Sequence, residues 1–175
     1  MLLDEALSWI FMVIAGAIIL VIFPLIIFFG RVDQSVQANV DAYNVKFVDN
    51  VKVTGKVTKE NFDSLLNSLD STGYAYDIEI EHESYLTVPK FNSDGTFSGE
   101  IKDSKLLYTK EEVLNELYDK TDGVYEMKLG DSFKVSLVSR TETISNRLYK
   151  ALIQSNQTLA RIQSRYGGSI LNNPQ

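Results

Sequence analysis

The feature that most constrains this chain is a run of 21 residues, Trp9 to Phe29, without a single Asp, Glu, Lys, Arg or His. As an α-helix such a run measures roughly 31 Å, about the thickness of a bilayer's hydrocarbon core. Asp4 and Glu5 bound it on one side and Arg31 on the other. A buried core helix is the plainer reading, but this run is longer than such helices usually are. A secretory signal would have a basic n-region, a shorter apolar stretch and a small-residue cleavage site. Here no Lys or Arg precedes Arg31, and Ser35-Val36-Gln37-Ala38 is a weak cleavage candidate. The run therefore predicts a transmembrane helix over 9–29, preceded by a short flank over 1–8. Gly16 and Pro24 are tolerated in membrane helices, although Pro24 removes the bond to the Leu20 carbonyl and can bend the helix there.

Helical periodicity does not stop at Phe29. Val32, Val36, Val40, Tyr43, Phe47 and Val51 are spaced 4, 4, 3, 4 and 4, a narrow apolar stripe, while Asp33, Gln37, Asn39, Asp41, Lys46 and Asp49 take the other faces. Valine is a middling helix former, so this stripe needs a partner surface. Gly55 is placed as a C-cap. Anchor and stalk (30–54) are thus expected to form one helix ending near residue 54.

The remainder, 56–168, reads as a small α+β head. Thr58 is an N-cap candidate for a helix with Phe62, Leu65, Leu66 and Leu69 on its apolar face. Tyr74, Tyr76, Ile78 and Ile80 alternate with Ala75, Asp77, Glu79 and Glu81, the clearest strand, expected to run to Val88 and stop at Pro89. Phe91 and Phe97 flank a hairpin turn at Asp94-Gly95. Thr109 and Glu112 form a capping box ahead of Val113, Leu114, Leu117 and Tyr118. Tyr125, Met127 and Leu129 lead to a turn at Gly130-Asp131. Phe133, Val135, Leu137 and Ser139 alternate with polar residues. A helix from Thr143 is expected to turn Ile144, Leu148 and Leu152 inward. A last strand is read over Leu159 to Tyr166, ended by Gly167-Gly168, and 169–175 as a disordered tail. Strands with one apolar face predict a mainly antiparallel sheet with helices on that face.

Composition excludes several functions. All 17 Lys and Arg follow the apolar run and only two of the 23 acids precede it, so the rest of the chain is acidic, which argues against nucleic acid as a partner. The absence of cysteine excludes disulfides, thiol catalysis and cysteine metal sites. His82, the sole histidine, lacks the partners of a familiar zinc or triad site and reads as structural. Arg165-Tyr-Gly-Gly168 lacks the Lys-Ser/Thr of a phosphate loop, and Asn156-Gln-Thr158 is a sequon of a kind common by chance. No constellation of residues points to catalysis, a cofactor or a metal, so the chain does not read as an enzyme. Asp77, Glu79, Glu81 and Glu83 share one strand face. Such a row can meet an ion or a basic partner, but it also serves as a solvated face that discourages edge pairing. Glu5 reads either as a solvated flank or as an assembly residue. In an array of packed helices, such a carboxylate can pair with a neighbour's N-terminal amine, because a buried unpaired charge is costly.

The layout resembles the type IV pilin and pseudopilin superfamily, and in particular the small membrane-anchored minor pilins of Tad (tight adherence) systems in low-GC Gram-positive bacteria. The resemblance is carried by Glu5 ahead of the apolar run, Pro24 within it, and a helix continuing through Val51 into an α+β head. Phe47-Val-Asp-Asn-Val51, Thr54-Gly55, Val57-Thr58, Thr72-Gly-Tyr-Ala-Tyr-Asp-Ile78 and Arg165-Tyr-Gly-Gly168 add to it. It implies a structural or assembly subunit of a surface pilus or related secretion machine. Its partners would be the lipid bilayer and other pilin-like subunits or assembly-machine proteins. Glu5, Pro24 and the stripe from Val32 to Val51 would carry assembly, and the head would lie outside a bacterial cell membrane. The positive charges of Arg31 and Lys46 taken alone place the head inside, but long domains translocate largely regardless of charge. The alternative reading is a membrane-tethered extracytoplasmic binding or sensing module using the acidic row.

Overall fold

The computed structural model describes residues 2–119, 122–153 and 161–174. One helix organises it. α1, Leu2–Thr54, runs for 53 residues, about 80 Å at 1.5 Å per residue. It takes in most of the expected N-terminal flank and passes through Pro24 without ending. Gly55 ends it: at φ 69° its N–H donates to the Val51 carbonyl at 2.8 Å, the left-handed cap that the sequence anticipates.

The head is α+β. After α1 come β1 (Lys56–Thr58), α2 (Lys59–Asp70), β2 (Tyr76–Phe91), β3 (Phe97–Thr109), α3 (Lys110–Asp119), β4 (Val124–Glu126), β5 (Ser132–Ser139), α4 (Ile144–Ile153) and β6 (Gln163–Ser169). The main sheet is antiparallel in the order β3-β2-β5-β6, and β1 pairs with β4 as a separate two-stranded ribbon. Local chemistry fixes the element ends. The Thr58 hydroxyl accepts the Asn61 N–H at 3.2 Å and starts α2. The Glu112 carboxylate accepts the Thr109 N–H at 2.6 Å, the reciprocal arm of the capping box on α3. In the β2–β3 turn Gly95 has φ 81°, Asn92 N–H donates to the Thr96 carbonyl at 2.8 Å, and the Asp94 carboxylate accepts the Thr96 hydroxyl at 2.6 Å.

The core is shared between the head and the upper half of α1. Val40, Val48 and Val51 are fully buried, and Phe47 nearly so, together with Phe62, Leu65 and Leu69 of α2, Ile78 and Ile80 of β2, and Phe133, Val135 and Leu137 of β5. The stalk over 30–54 is thus, from Val36 upward, a structural member of the domain rather than a segment apart from 56–168. The stripe's partner surface is the chain's own sheet. Val36 and Tyr43 are packed against this core, whereas Val32, at 37% exposed, stands off it. Asn44 and Val48, which the Val-to-Val spacing passes over, are among the most buried residues of α1.

Four expectations need correction. β2 does not stop at Pro89 but continues to Phe91, with a register shift between them. β5 pairs with β2 only from Tyr76 to Glu83, so Pro89 lies where β2 has one open side and a missing N–H is tolerated. Gly167 and Gly168 do not end β6; they pair with Lys134 and Phe133. A Cβ on Gly167 would sit 2.8 Å from the Phe133 carbonyl oxygen, so glycine permits close strand approach there. The tail, described to Pro174, is not disordered. Ile170 is buried, its N–H donates to the Asp131 carbonyl at 2.7 Å, and Leu171 N–H donates to the Lys52 carbonyl at 2.8 Å. Finally, α4 does not turn Ile144 and Leu152 inward; both are exposed, while Asn146 is buried. The sequon at Asn156 and the start of the last strand, Leu159 and Ala160, lie outside the described residues.

Candidate membrane-anchoring and assembly site

The lower half of α1 is apolar on every face, and among the described residues none of its side chains is buried. Its most apolar 18-residue window has no buried residue. Trp9 is 71% exposed and Leu20 77%. A core helix would have its apolar surface packed away; this one presents large aromatic and aliphatic side chains all round, which water penalises and hydrocarbon does not. By length and composition α1 can cross a membrane. Glu5, exposed near the helix N-terminus, is favourably placed against the positive end of the helix dipole. Pro24 is exposed near the end of the apolar half.

Above Phe29 the environment changes within one turn. Arg31 is exposed, and Asp33 is the first buried residue of α1 counting from Glu5. Its carboxylate accepts the Tyr74 hydroxyl at 3.2 Å, the Ser145 backbone N–H at 3.2 Å, and the Ser145 hydroxyl. Burial, and then the Asp33 charge, push the Tyr74 phenol above its ordinary range. A carboxylate from α1 thus caps the start of α4 and ties the head to the helix just beyond the apolar run. Higher up, the Gln37 amide bridges to the Gln163 backbone as donor at 2.8 Å and acceptor at 3.2 Å. The buried Asn44 amide donates to Ser164 Oγ at 3.1 Å and to the Val135 carbonyl at 3.3 Å. Tyr166 donates to Asp49 at 3.2 Å. Helix and sheet are locked together along the whole upper half.

Of the stripe proposed for assembly, Val40, Phe47 and Val51 are consumed by the head's own core. Glu5, Pro24 and Val32 are exposed, and Val36 and Tyr43 are half-buried against the core. The acidic row does face outward on β2, as its alternation predicts, but three of its members are paired with cations of the same chain. Asp77 accepts from Arg140 at 2.7 Å, Glu83 from Lys105 at 2.7 Å, and Glu81 from Lys134, while Glu79 stands exposed opposite Ser136. Among the described residues no group of three or more His, Asp or Glu converges as for a metal ion.

His82 is on the inner side of β2. Nδ1 lies 2.6 Å from the Tyr125 hydroxyl, Nε2 lies 3.0 Å from the Asp131 carboxylate, and Tyr108 stacks on the ring. Burial works to raise the Asp131 carboxyl, but the Lys128 N–H, His82 and Ser84 outweigh it and hold it below the usual carboxylate range. The whole chain of groups is buried and fully occupied with itself, so it braces β2 against β4 and the 128–131 turn. Sequence spacing could not have found this cluster, because its members meet only through the sheet. No family model, curated protein or solved structure matches this chain.

Proposed function

We propose that the chain is a single-pass, membrane-anchored structural or assembly subunit of a bacterial surface pilus or related secretion machine, with its head outside the cell. The observation that carries this reading is the two-part character of α1: an uncovered apolar half continuous with a half built into the head's core. Such a helix transmits position rigidly from lipid to head, which suits a subunit held in a membrane or packed with its neighbours' helices. In that setting Glu5 is the assembly carboxylate and the lipid-facing side chains of 9–29 are the helix-packing surface. The pairing of Asp77, Glu81 and Glu83 with Arg140, Lys134 and Lys105 leaves the ion-sensing alternative with little free charge.

The test is made in producing cells. Chain recovered in the sheared surface fraction, and lost from it in Glu5→Ala while the membrane-bound amount is unchanged, supports the reading. Wild-type chain confined to the membrane, with no co-purifying helical-anchor proteins after cross-linking, refutes it.

A further inference from the structure

α4 is amphipathic in the wrong sense for a helix of a water-soluble head. Ile144, Leu148 and Leu152, at four-residue spacing, share one face. Ile144 is 36% exposed, Leu152 42% and the neighbouring Tyr149 46%, while the polar Asn146 is buried on the opposite side. Asn146 packs on the protein, Leu148 is half-buried, and Ile144, Tyr149 and Leu152 are turned out.

Its position explains what that side meets. Asp33, which caps the start of α4, lies four residues past Phe29, about 6 Å along the axis. The polar headgroup layer on each side of a bilayer is about 5–8 Å thick. The face of α1 that carries Asp33 is covered by β6 and the core from Gln37 upward. α4 also packs on α1, and its start meets that helix at Asp33 through Ser145. Ile26 and Phe29, on that same face, are half-buried, whereas Leu25, Ile27 and Phe28 beside them are exposed. α4 therefore starts just above the upper boundary of the apolar run. The local charge fits as well. Although the chain is acidic, Arg31, Arg147 and Arg161 are exposed around this end of the head. The acids there are otherwise engaged: Asp33 is buried, Glu142 pairs with Lys150 at 2.5 Å, and Asp41 accepts from Gln37 at 3.0 Å.

We infer that α4 is an interfacial helix. It rests on the bilayer surface beside the anchor, with Ile144, Tyr149 and Leu152 in the lipid–water boundary and Arg31, Arg147 and Arg161 on anionic phospholipid headgroups. The inference rests on the membrane-anchor reading, and the experiment separates the two. The chain has no cysteine, so Leu152→Cys, Tyr149→Cys and a distal control, Ser68→Cys, each carry one environment-sensitive fluorophore. The labelled full chain is reconstituted in phosphatidylcholine vesicles with and without phosphatidylglycerol, and circular dichroism checks the fold. Trp9, the sole tryptophan, reports anchor insertion through quenching by brominated acyl chains. The expected result is a blue-shifted 152 or 149 probe quenched by headgroup-level spin-labelled lipid, with the 68 probe unaffected. Arg31→Glu and Arg147→Glu should each lower the docked-to-free ratio about fivefold or more, only when phosphatidylglycerol is present. Quenching of Trp9 with no quenching at 149 and 152 overturns the interfacial helix and leaves the anchor standing. No quenching of Trp9 overturns both.

Discussion

Phe47→Ala probes the joint between helix and head most severely. Phe47 is 6% exposed, and its ring centroid lies 6.2 Å from that of Phe62 on α2 and 6.2 Å from that of Phe133 on β5. Truncation removes the one ring that touches both and leaves a cavity between α1, α2 and the sheet. Buried Phe→Ala changes cost about 3–5 kcal/mol, of which each lost aromatic pair accounts for about 0.5–1.5 kcal/mol beyond area. For a head of this size the Tm should fall by about 10–20 °C. Val32→Ala, on the same helix but exposed, should cost no more than about 0.5 kcal/mol. The assay is urea unfolding of the full chain in mild detergent, followed by near-UV circular dichroism of the tyrosines and phenylalanines, since the only tryptophan sits in the apolar half of α1. A Phe47→Ala loss below about 1 kcal/mol, or a Val32→Ala loss equal to it, would refute a core shared by α1 and the head.

Other outcomes follow from particular contacts. Gly55→Ala should cost clearly more than Gly73→Ala in the same urea assay. Both need positive φ, at about 1–2 kcal/mol, but only at Gly55 would the new Cβ meet a backbone oxygen, that of Asn172, at 2.6 Å. Deleting 170–175 should lose about 2–5 kcal/mol through the buried Ile170, measured by thermal melting. The folded-state Asp131 carboxyl is depressed, so its contribution is present above the unfolded value of about 3.9 and is lost as pH falls through the folded value. Asp131→Asn should therefore be less stable at neutral pH, by about 1.5–3 kcal/mol, and should show a shallower decline on acidification, read from melts between neutral and acid pH.

Much of this was legible because the signals were local. The charge-free run, the Gly55 cap, the Thr58 and Thr109 starts and the Asp94-Gly95 turn each depend on residues a few positions apart, and the structure bears them out. The failures came from long-range geometry. Whether Gly167-Gly168 ends a strand or lets two strands approach depends on Lys134 and Phe133, which no spacing reveals. The 169–175 tail is polar enough to read as frayed, but Ile170, Leu171 and Asn172 are tied to Asp131, Lys52 and Val53. The acidic row was placed on the correct face by alternation, yet its neutralising partners lie on β3, on β5 and just beyond β5.

α4 shows a different limit. Periodicity locates an apolar face but says nothing of what it turns toward, and inward is only the default for a chain surrounded by water. The Val stripe shows the same limit reversed. The family resemblance gives it to contacts between subunits, but most of it packs into the chain's own core.

α1 is one helix, core-facing from Asp33 and, as proposed, lipid-facing below Phe29. A nitroxide scan tests this most directly: single cysteines from residue 5 to 54 in the full chain, reconstituted in vesicles, with accessibility to oxygen and to a water-soluble nickel chelate measured at each. The account predicts high oxygen and low nickel accessibility on every face through 9–29. Above Arg31 it predicts a helical-period alternation, with minima at Asp33, Val40, Asn44 and Val48. Nickel access through the middle of 9–29, or a loss of helical period between 29 and 36, would contradict it.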